Sequence, residues 1–384
     1  MNPILAGVLG ASLLMAVLWD AFETIILPRR VHRRFRITRL FYKTTWRVWR
    51  GAARLVAHRR REEFLAVYGP LSLLMLLGLW ATGIVVAFGI LQWAAGSGMS
   101  LTGGAAGFAS DVYMSGTTFF TLGLGDVVPV TTLAKTLTVI ESGTGFAFLA
   151  VVIGYLPVTY QAFSRREGPI SLLDARAGSP PSAGELLWRH RADVGGEQLG
   201  ALLHEWERWA AELLESHLSY PPLAYFRSQH NNQSWLTALT SILDASAFAI
   251  VGLEGRCASQ AQLTFAMSRH AVVDLAQVFS TPPSAPAADR LPPEQLDRLR
   301  RRLGDGGIRF SQRGDLADRL AELRRMYEPY VTALAEYLAV QLPPWVRDRH
   351  RPDNWQTSAW ERPLGWPFRG SPGSPGDDHW TGSP

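Results

Sequence analysis

The chain has 384 residues, of which 47% are hydrophobic and 18% are charged, and its formal net charge is +5. Its only cysteine is Cys257, which excludes an intrachain disulfide and a metal site built from cysteines. The basic residues are concentrated in the segment 29–61, so the positive charge points to an anionic membrane surface rather than to a nucleic acid.

Three apolar stretches, 3–27, 67–93 and 132–160, are long enough to cross a bilayer, which takes about 20 residues. A shorter apolar segment, 108–120, lies between the second and the third. The pattern predicts an all-α membrane protein with three transmembrane helices and one re-entrant pore loop. A fourth apolar stretch, 235–253, contains an aspartate and several Ser and Thr residues. We expect it to be buried in a soluble domain rather than to form a fourth span.

The segment 29–61 contains twelve Arg, one Lys and no acidic residue. The positive-inside rule places it in the cytoplasm, so we expect an extracytoplasmic N-terminus and a cytoplasmic region after 164. Aromatic residues and leucines among the arginines predict an amphipathic helix on the inner leaflet, with anionic lipids as its partners at Arg29–Arg61. The spacing of Arg33, Arg36 and Arg39 does not indicate a voltage sensor, because only one span precedes them.

The end of the short apolar segment overlaps the start of the run Thr118-Phe119-Phe120-Thr121-Leu122-Gly123-Leu124-Gly125-Asp126. A dehydrated cation needs rings of oxygen atoms to replace its water, and backbone carbonyls from several chains supply them. Gly123 and Gly125 allow the left-handed angles that such a strand requires. Thr121 adds a hydroxyl ring, and Asp126 places carboxylates at the outer mouth. The run resembles the selectivity filter of potassium channels, with Thr118 at the end of the pore helix and an ion path lined by Thr121, Leu122, Gly123, Leu124 and Gly125.

Residues of about 65–160 resemble the pore-loop channel family that includes two-span bacterial and two-pore-domain-like potassium channels. The resemblance implies a homotetramer that conducts K⁺ and needs no cofactor, and the preference for Arg over Lys favours a bacterial plasma membrane. At position 124 the family usually has Tyr or Phe, whereas this chain has Leu. Two alternatives therefore stay open: a weakly selective monovalent cation channel, and a membrane-anchored sensor or signalling protein with a degenerate pore.

The third span contains two glycines and one acid with predicted roles. Gly143 and Gly145 lie where the family bends its inner helix, the distance from Asp126 favours Gly145 as the hinge, and the alternative is close helix packing. An acid at this depth is costly and indicates function. Glu141 is expected either to line the cavity as a ring of four carboxylates or to form a hydrogen bond behind the filter. Asp20 and Glu23, at the end of the first span, are expected to form an interfacial ion pair with Arg29 and Arg30.

Five domains or segments follow from these patterns: a transmembrane helix at 1–28, a basic interfacial segment at 29–63, a pore domain at 64–164, a cytoplasmic helical bundle at 165–342 and a disordered tail at 343–384. Within the bundle, apolar periodicity predicts helices at 197–217, 234–253, 259–279, 293–303 and 315–341. The bundle is expected to gate or assemble the pore.

The bundle carries no pattern typical of an enzyme, since a nucleophile elbow, a phosphate loop and paired acids are all missing from the sequence. Its histidines also lack metal-ligand spacing. Four polar residues in and around its apolar helices suggest a pocket for a small anionic regulator, and the alternative is a set of core hydrogen bonds and surface residues. These four are Arg227, His230, Asp244 and His270.

Overall fold

The computed structural model describes residues 2–27, 36–101, 107–193, 195–229, 233–253, 256–308, 310, 315–347 and 353–356. The chain divides into two compact units, Met1–Gln161 and Ala162–Pro384. Several residues with predicted roles lie outside the described residues: Arg29, Arg30, Arg33 and His230.

The first unit is built from apolar helices and one small antiparallel ribbon. In chain order it holds α1 (Pro3–Ile25), α2 (Ile37–Ala52), α3 (His58–Ala94), β1 (Met99–Leu101), α4 (Phe108–Phe119), β2 (Val127–Pro129) and the first part of α5 (Thr132–Ala177). The ribbon of β1 and β2 was not predicted, but the helical character of the chain was, and it is confirmed.

Small residues let α1 approach α3 closely. A Cβ atom on Gly83 of α3 would lie 2.9 Å from the side chain of Val17, and one on Gly10 of α1 would lie 3.1 Å from the carbonyl oxygen of Ala87. In a bilayer, such close van der Waals packing is a main source of helix association, because lipid is as apolar as the side chains. At the start of α1, Asn2 accepts a hydrogen bond from the backbone N–H of Ile4 (3.0 Å), and Pro3 occupies the first turn.

The second unit is a helical bundle around α8. It contains the last part of α5, then α6 (Ala183–Arg189), α7 (Glu197–Ser219), a 3-10 helix (Pro221–Tyr225), α8 (Trp235–Gly252), α9 (Arg256–Val278), α10 (Pro293–Asp305), α11 (Leu316–Arg325), α12 (Glu328–Leu338) and a short 3-10 helix (Asn354–Gln356). Nearly every residue of α8 is buried against other helices of this unit.

Among the described residues, four helices are long and apolar enough to cross a membrane: α1, the part of α3 at Arg60–Ala94, α5 and α8. The burial of α8 fits the expectation of a core helix, and the count of three spans stays a prediction. The apolar stretch of α5 covers 132–160, and charged residues follow it from Arg165 onward.

Two details of the second unit differ from the predictions. The helix expected over 315–341 is two helices, α11 and α12, because Pro329 lacks a backbone N–H and therefore belongs in a first turn. The disordered tail was predicted to begin at 343, and this predicted boundary is too early. Trp345 and Asp353 are almost completely buried in the bundle, and the tail from 357 onward lies outside the described residues.

Candidate functional site

The run between α4 and β2 continues directly from the end of the short helix. The backbone N–H of Thr121 donates to the carbonyl of Thr118 (3.0 Å), and that of Leu122 donates to the carbonyl of Thr117 (2.7 Å). These bonds close the last turn of α4 and fix the direction in which the following strand leaves it.

Positive φ alternates with ordinary backbone along this strand. The φ angles are 58° at Thr121, 58° at Gly123 and 78° at Gly125. A Cβ atom on either glycine would meet nothing within 4 Å, so the backbone angle, and not a lack of space, is what favours glycine there. Positive φ at a threonine is uncommon, and such angles persist where the surrounding structure enforces them.

The side chains of Leu122 and Leu124 are exposed in the single chain. The two leucines occupy the places between the residues of positive φ. With this alternation, successive carbonyl groups can face one side of the strand while the leucine side chains leave it on another.

Asp126 ends the strand and is held by the pore helix α4. Its carboxylate accepts a hydrogen bond from the hydroxyl of Tyr113 (2.9 Å). The next residue, Val127, begins β2, which pairs with β1 in the register Leu101 opposite Val127 and Met99 opposite Pro129. The outer end of the strand is therefore attached to both α4 and the ribbon.

The ribbon is itself attached to the start of α4. The hydroxyl of Ser97 donates to the carboxylate of Asp111 (2.5 Å), and Asp111 is completely buried. The N–H of Val130 donates to the carbonyl of Gly98 (2.8 Å), next to Ser97. A connected set of contacts thus surrounds this end of the 121–125 segment. It involves residues 97–101, 111–113 and 126–130.

Glu141 is buried behind the strand, on the inner helix α5. Its carboxylate contacts the hydroxyl of Ser115 on α4, and that hydroxyl also lies 2.7 Å from the carbonyl oxygen of Val85 on α3. Only 1% of Glu141 is exposed within a single chain. This contact fits the second of the two alternatives for Glu141, a hydrogen bond, and its position behind a filter stays a prediction.

The two glycines of α5 have different surroundings. A Cβ atom on Gly145 would lie 2.3 Å from the carbonyl oxygen of Phe119, the last residue of α4. A Cβ atom on Gly143 would meet nothing within 4 Å. Gly145 therefore allows the inner helix to approach the pore helix, as in the packing alternative, whereas nothing in a single chain constrains Gly143.

Among the described residues, the acids of α1 contact groups at the start of α2 and on α3. The carboxylate of Asp20 accepts from the backbone N–H of Thr38 (3.1 Å), from its hydroxyl (2.6 Å) and from the indole N–H of Trp80 on α3 (3.0 Å). Glu23 pairs with Arg36 at 3.5 Å. Asp20 therefore holds the first turn of α2, and the predicted ion pairs with Arg29 and Arg30 lie outside the described residues.

The face of α2 opposite these contacts is both basic and apolar. Arg39, Lys43 and Arg47 form one exposed row along the helix, and the exposed Leu40 and Val48 lie beside it. Thr38, Tyr42 and Trp46 are buried on the other face.

The polar residues predicted to form a pocket in the second unit contact different groups. Asp244 is completely buried and binds Arg290 (2.6 Å) and the hydroxyl of Tyr327 (2.5 Å). Arg227 donates to the carbonyl oxygen of Leu338 (2.7 Å), near the end of α12. The ring of His270 is mostly exposed and lies 3.4 Å from Asp274. The pocket stays a prediction, and these contacts fit the alternative of core hydrogen bonds and surface residues.

Four polar side chains of the first unit were not singled out from the sequence, namely Ser97, Asp111, Tyr113 and Ser115. Asp111 and Tyr113 carried a weak signal, since they are polar residues in an otherwise apolar helix next to the glycine motif. Ser97 had none, because its partner is defined only by the turn before β1. Among the described residues, no group of three or more His, Cys, Asp or Glu could hold a metal ion.

Comparison with known proteins adds one match. Residues 74–161 match a protein family described as ion channel, consistent with a pore-loop channel, so the chain contains an ion-channel domain that covers α4, the strand and most of the flanking apolar helices. No curated protein and no solved structure matches the chain.

Proposed function

We propose that this chain, through its ion-channel domain, forms a homotetrameric potassium-selective channel in the plasma membrane of a bacterium. The backbone carbonyls of residues 121–125 and the hydroxyl of Thr121 line the ion path, and Asp126 lies at its outer mouth. The observation that carries the proposal is the alternation of positive φ at Thr121, Gly123 and Gly125, directly after a pore helix. Carbonyl rings that replace the hydration shell of an ion need such a strand.

Four copies are proposed because each chain supplies one strand of the ring, and a closed cyclic arrangement satisfies all copies equally. The inner helix α5 supports this. Val139, Phe146 and Ile153 are seven residues apart and strongly exposed in the single chain. They leave an apolar face of α5 for neighbouring copies, for the cavity or for lipid.

Glu141 and Ser115 are proposed to keep the pore helix and the inner helix in register behind the filter. A hydrogen bond between buried groups costs more to break than it contributes on average, because the remaining partner is left unsatisfied. Gly145 is proposed to serve the same contact by allowing close approach. Gly143 is the residue that we propose for the bending of α5.

The basic segment is proposed to bind anionic lipids of the inner leaflet through the exposed face of α2. The row of Arg39, Lys43 and Arg47 supplies the charge, and Leu40 and Val48 supply apolar contact with the acyl chains. Because the segment is then cytoplasmic, the bundle of the second unit is cytoplasmic as well, where it gates or assembles the pore.

Purified protein in lipid vesicles tests the proposal. We expect K⁺ efflux, a reversal potential that follows the K⁺ gradient rather than the Na⁺ gradient, and four chains per particle in mild detergent. Equal K⁺ and Na⁺ flux would favour a weakly selective channel, which the leucine at position 124 makes the leading rival. No flux from correctly assembled protein would favour a membrane-anchored signalling protein.

A further inference from the structure

A segment from the C-terminal part of the chain binds the cytoplasmic end of the inner helix. The described parts of this segment, 345–347 and 353–355, are called the strap. Trp345 is completely buried, and its carbonyl accepts from the N–H of Gly184 (3.0 Å). Asp353 is 2% exposed. A segment with such buried groups is part of the bundle, although it is far from α5 in the sequence.

Asp353 is the central residue in the contacts of the strap. Its carboxylate accepts from the backbone N–H of Ser179 (3.1 Å), from Arg347 (3.1 Å) and from Arg189 (2.7 Å). Undocking of the strap would break all three hydrogen bonds of this buried carboxylate. Charge-assisted hydrogen bonds are about twice as strong as neutral ones, so the docked state is favoured.

Arg189 transmits this contact to the last turn of α5. Its guanidinium group donates to the carbonyl oxygens of Asp174 (3.3 Å) and Ala175 (2.6 Å) in the last turn of the helix, and the carbonyl of Asp174 also accepts from the backbone N–H of Gly178 (2.8 Å). A cation at a helix C-terminus is also favourable for the helix dipole. The strap therefore holds the arginine that caps the inner helix.

The strap also binds α5 directly through Asp174. One carboxylate oxygen of Asp174 accepts from the backbone N–H of Trp355 (3.2 Å), and the other is buried without a hydrogen-bond partner. The two acids thus face one cluster, in which the charged groups close to Asp174 are, among the described residues, Asp353, Arg189 and Arg347.

We propose that the strap is a proton-sensitive latch on the inner helix, and that protonation of Asp174 tightens it. Two buried carboxylates repel each other, and a proton on Asp174 removes the repulsion while leaving the three donors of Asp353 in place. The oxygen of Asp174 without a partner is where that proton can reside. Because α5 is one continuous helix from Thr132 to Ala177, a latch at its end acts on the helix that carries Glu141 and Gly145.

The direction of the pH effect follows from the two states of the strap. Burial, and then the neighbouring Asp353, raise the pKa of Asp174 to about 6 from its ordinary value of 3.8. Asp174 lies beyond the apolar stretch of α5, in the second unit. Because the docked state holds the proton more tightly than the free state, docking strengthens as the pH falls through about 6. From pH 7.5 to pH 5 the docking equilibrium should increase roughly tenfold by linkage.

Hydrogen exchange of the full-length protein in lipid nanodiscs measures this directly. The probes are the amides of Asn354 and Trp355, which donate to Ser179 and Asp174. After correction for the intrinsic pH dependence of exchange, we expect their protection to begin to rise near pH 6 and to be about tenfold higher at pH 5 than at pH 7.5. Equal protection at both values would overturn the latch without the use of any variant.

Matched variants separate Asp174 from the other acids. Asp174→Asn keeps an acceptor for Trp355 and removes the charge, so its protection at pH 7.5 should be at least as high as that of the wild type at pH 5. Asp297→Asn, on the exposed face of α10, should behave like the wild type. If Asp174→Asn keeps the full pH dependence, Asp174 is not the sensor and the proposal fails.

The effect on the pore rests on the proposed channel function and is measured separately. The pH is changed from 7.5 to 5 on the side of the vesicle membrane that holds the second unit. K⁺ flux of the wild type should then change, and K⁺ flux of Asp174→Asn should not. If protection depends on pH but the protein shows no flux, the proposed channel function is refuted and the proposed latch is retained. Flux that ignores pH while protection changes would show that the latch does not reach the pore, and would overturn that part.

Discussion

Gly145 of the inner helix lies against the carbonyl oxygen of Phe119, the last residue of the pore helix, with no room for a side chain between them. An added Cβ would lie 2.3 Å from that oxygen, which is part of the peptide backbone and cannot rotate away. Two residues earlier, Gly143 has open space around it. The sequence favoured Gly145 as the hinge, whereas Gly143 is the glycine with free space around it.

Gly145→Ala should therefore disturb the pore helix, while Gly143→Ala should not. Overpacking of this kind costs about 1–3 kcal/mol per chain, and the pore helix has to shift to relieve it. We expect Gly145→Ala to lower the thermal stability of the assembly and to reduce K⁺ flux. Gly143→Ala is the matched control for the helix propensity of alanine, and an equal loss in both variants would contradict the packing role.

Gly123→Ala or Gly125→Ala should abolish selective flux without preventing assembly. Both positions have positive φ and free space, so alanine adds only the backbone cost of a left-handed residue, about 1–2 kcal/mol in each chain. Four copies of that cost fall on one ring of carbonyls. The measurement is the reversal potential in K⁺ and Na⁺ gradients, with the particle mass as the check on assembly. A variant with wild-type selectivity would show that these angles do not form the ion path.

Leu124→Tyr should increase the preference for K⁺ over Na⁺ if an aromatic ring is needed to brace the filter from outside. Leu124 is exposed in the single chain, so a larger side chain meets no obstacle there. The selectivity ratio should rise several-fold, as measured by reversal potentials. Leu122→Tyr, also exposed, is the control for bulk. An unchanged ratio in Leu124→Tyr would mean that leucine already packs well enough.

Glu141→Gln should largely preserve conduction, and Glu141→Ala should not. Glutamine keeps the shape and can still contact Ser115, whereas alanine leaves that hydroxyl with the carbonyl of Val85 alone and opens a cavity. A lost buried hydrogen bond costs about 1–3 kcal/mol. We expect Ser115→Ala to resemble Glu141→Ala in thermal stability and in filter selectivity. If the two variants had fully additive effects in the double variant, the residues would not act as a pair.

His217 should make the second unit less stable in mild acid. It is completely buried, its Nδ1 lies 2.8 Å from the carbonyl oxygen of Leu213, and its Nε2 faces Arg166 at 3.4 Å. Burial, and then the charge of Arg166, lower the pKa of His217 to about 3. A folded-state pKa below the ordinary value of 6.5 means that the unfolded chain takes up the proton first. Stability is therefore lost as the pH falls below 6.5.

The loss from this single residue should approach about 1.4 kcal/mol per pH unit below that value. His217→Gln cannot be protonated, so the stability difference between the wild type and this variant should shrink by that amount for each unit. Thermal unfolding of the full-length protein at pH 7.5, 6.5 and 5.5 measures it. His270→Gln, at an exposed position, should show no such trend. A constant difference between the wild type and His217→Gln would refute the assignment.

The sequence predicted the elements whose cause is local or periodic. Long apolar runs predicted α1, α3 and α5, and two glycines in a short motif predicted the left-handed angles at Gly123 and Gly125. Helical periodicity located α7 to α10 within a few residues. In these cases the physical reason for the structure lies within about twenty consecutive residues, as it does for a bilayer-spanning helix.

What could not be predicted depends on partners far apart in the chain. Nothing local indicates that Ser115 lies beside Glu141, that Ser97 binds Asp111, or that Asp353 returns to the end of α5. The tail was predicted to be disordered because its composition is rich in Pro, Gly and Ser, and that criterion cannot see two buried residues such as Trp345 and Asp353. The same limit applies to Gly143 and Gly145, which only the position of Phe119 distinguishes.

The contact of Asp20 with Trp80 has a consequence for how the protein is made. These two residues are 60 positions apart, and the carboxylate also needs Thr38. When α1 leaves the ribosome, Trp80 of α3 has not yet been synthesised, so the acid enters the membrane without this donor and at a cost. Insertion of α1 should therefore be reversible until α3 arrives, and membrane integration of this chain should be completed only when the first three helices can assemble together.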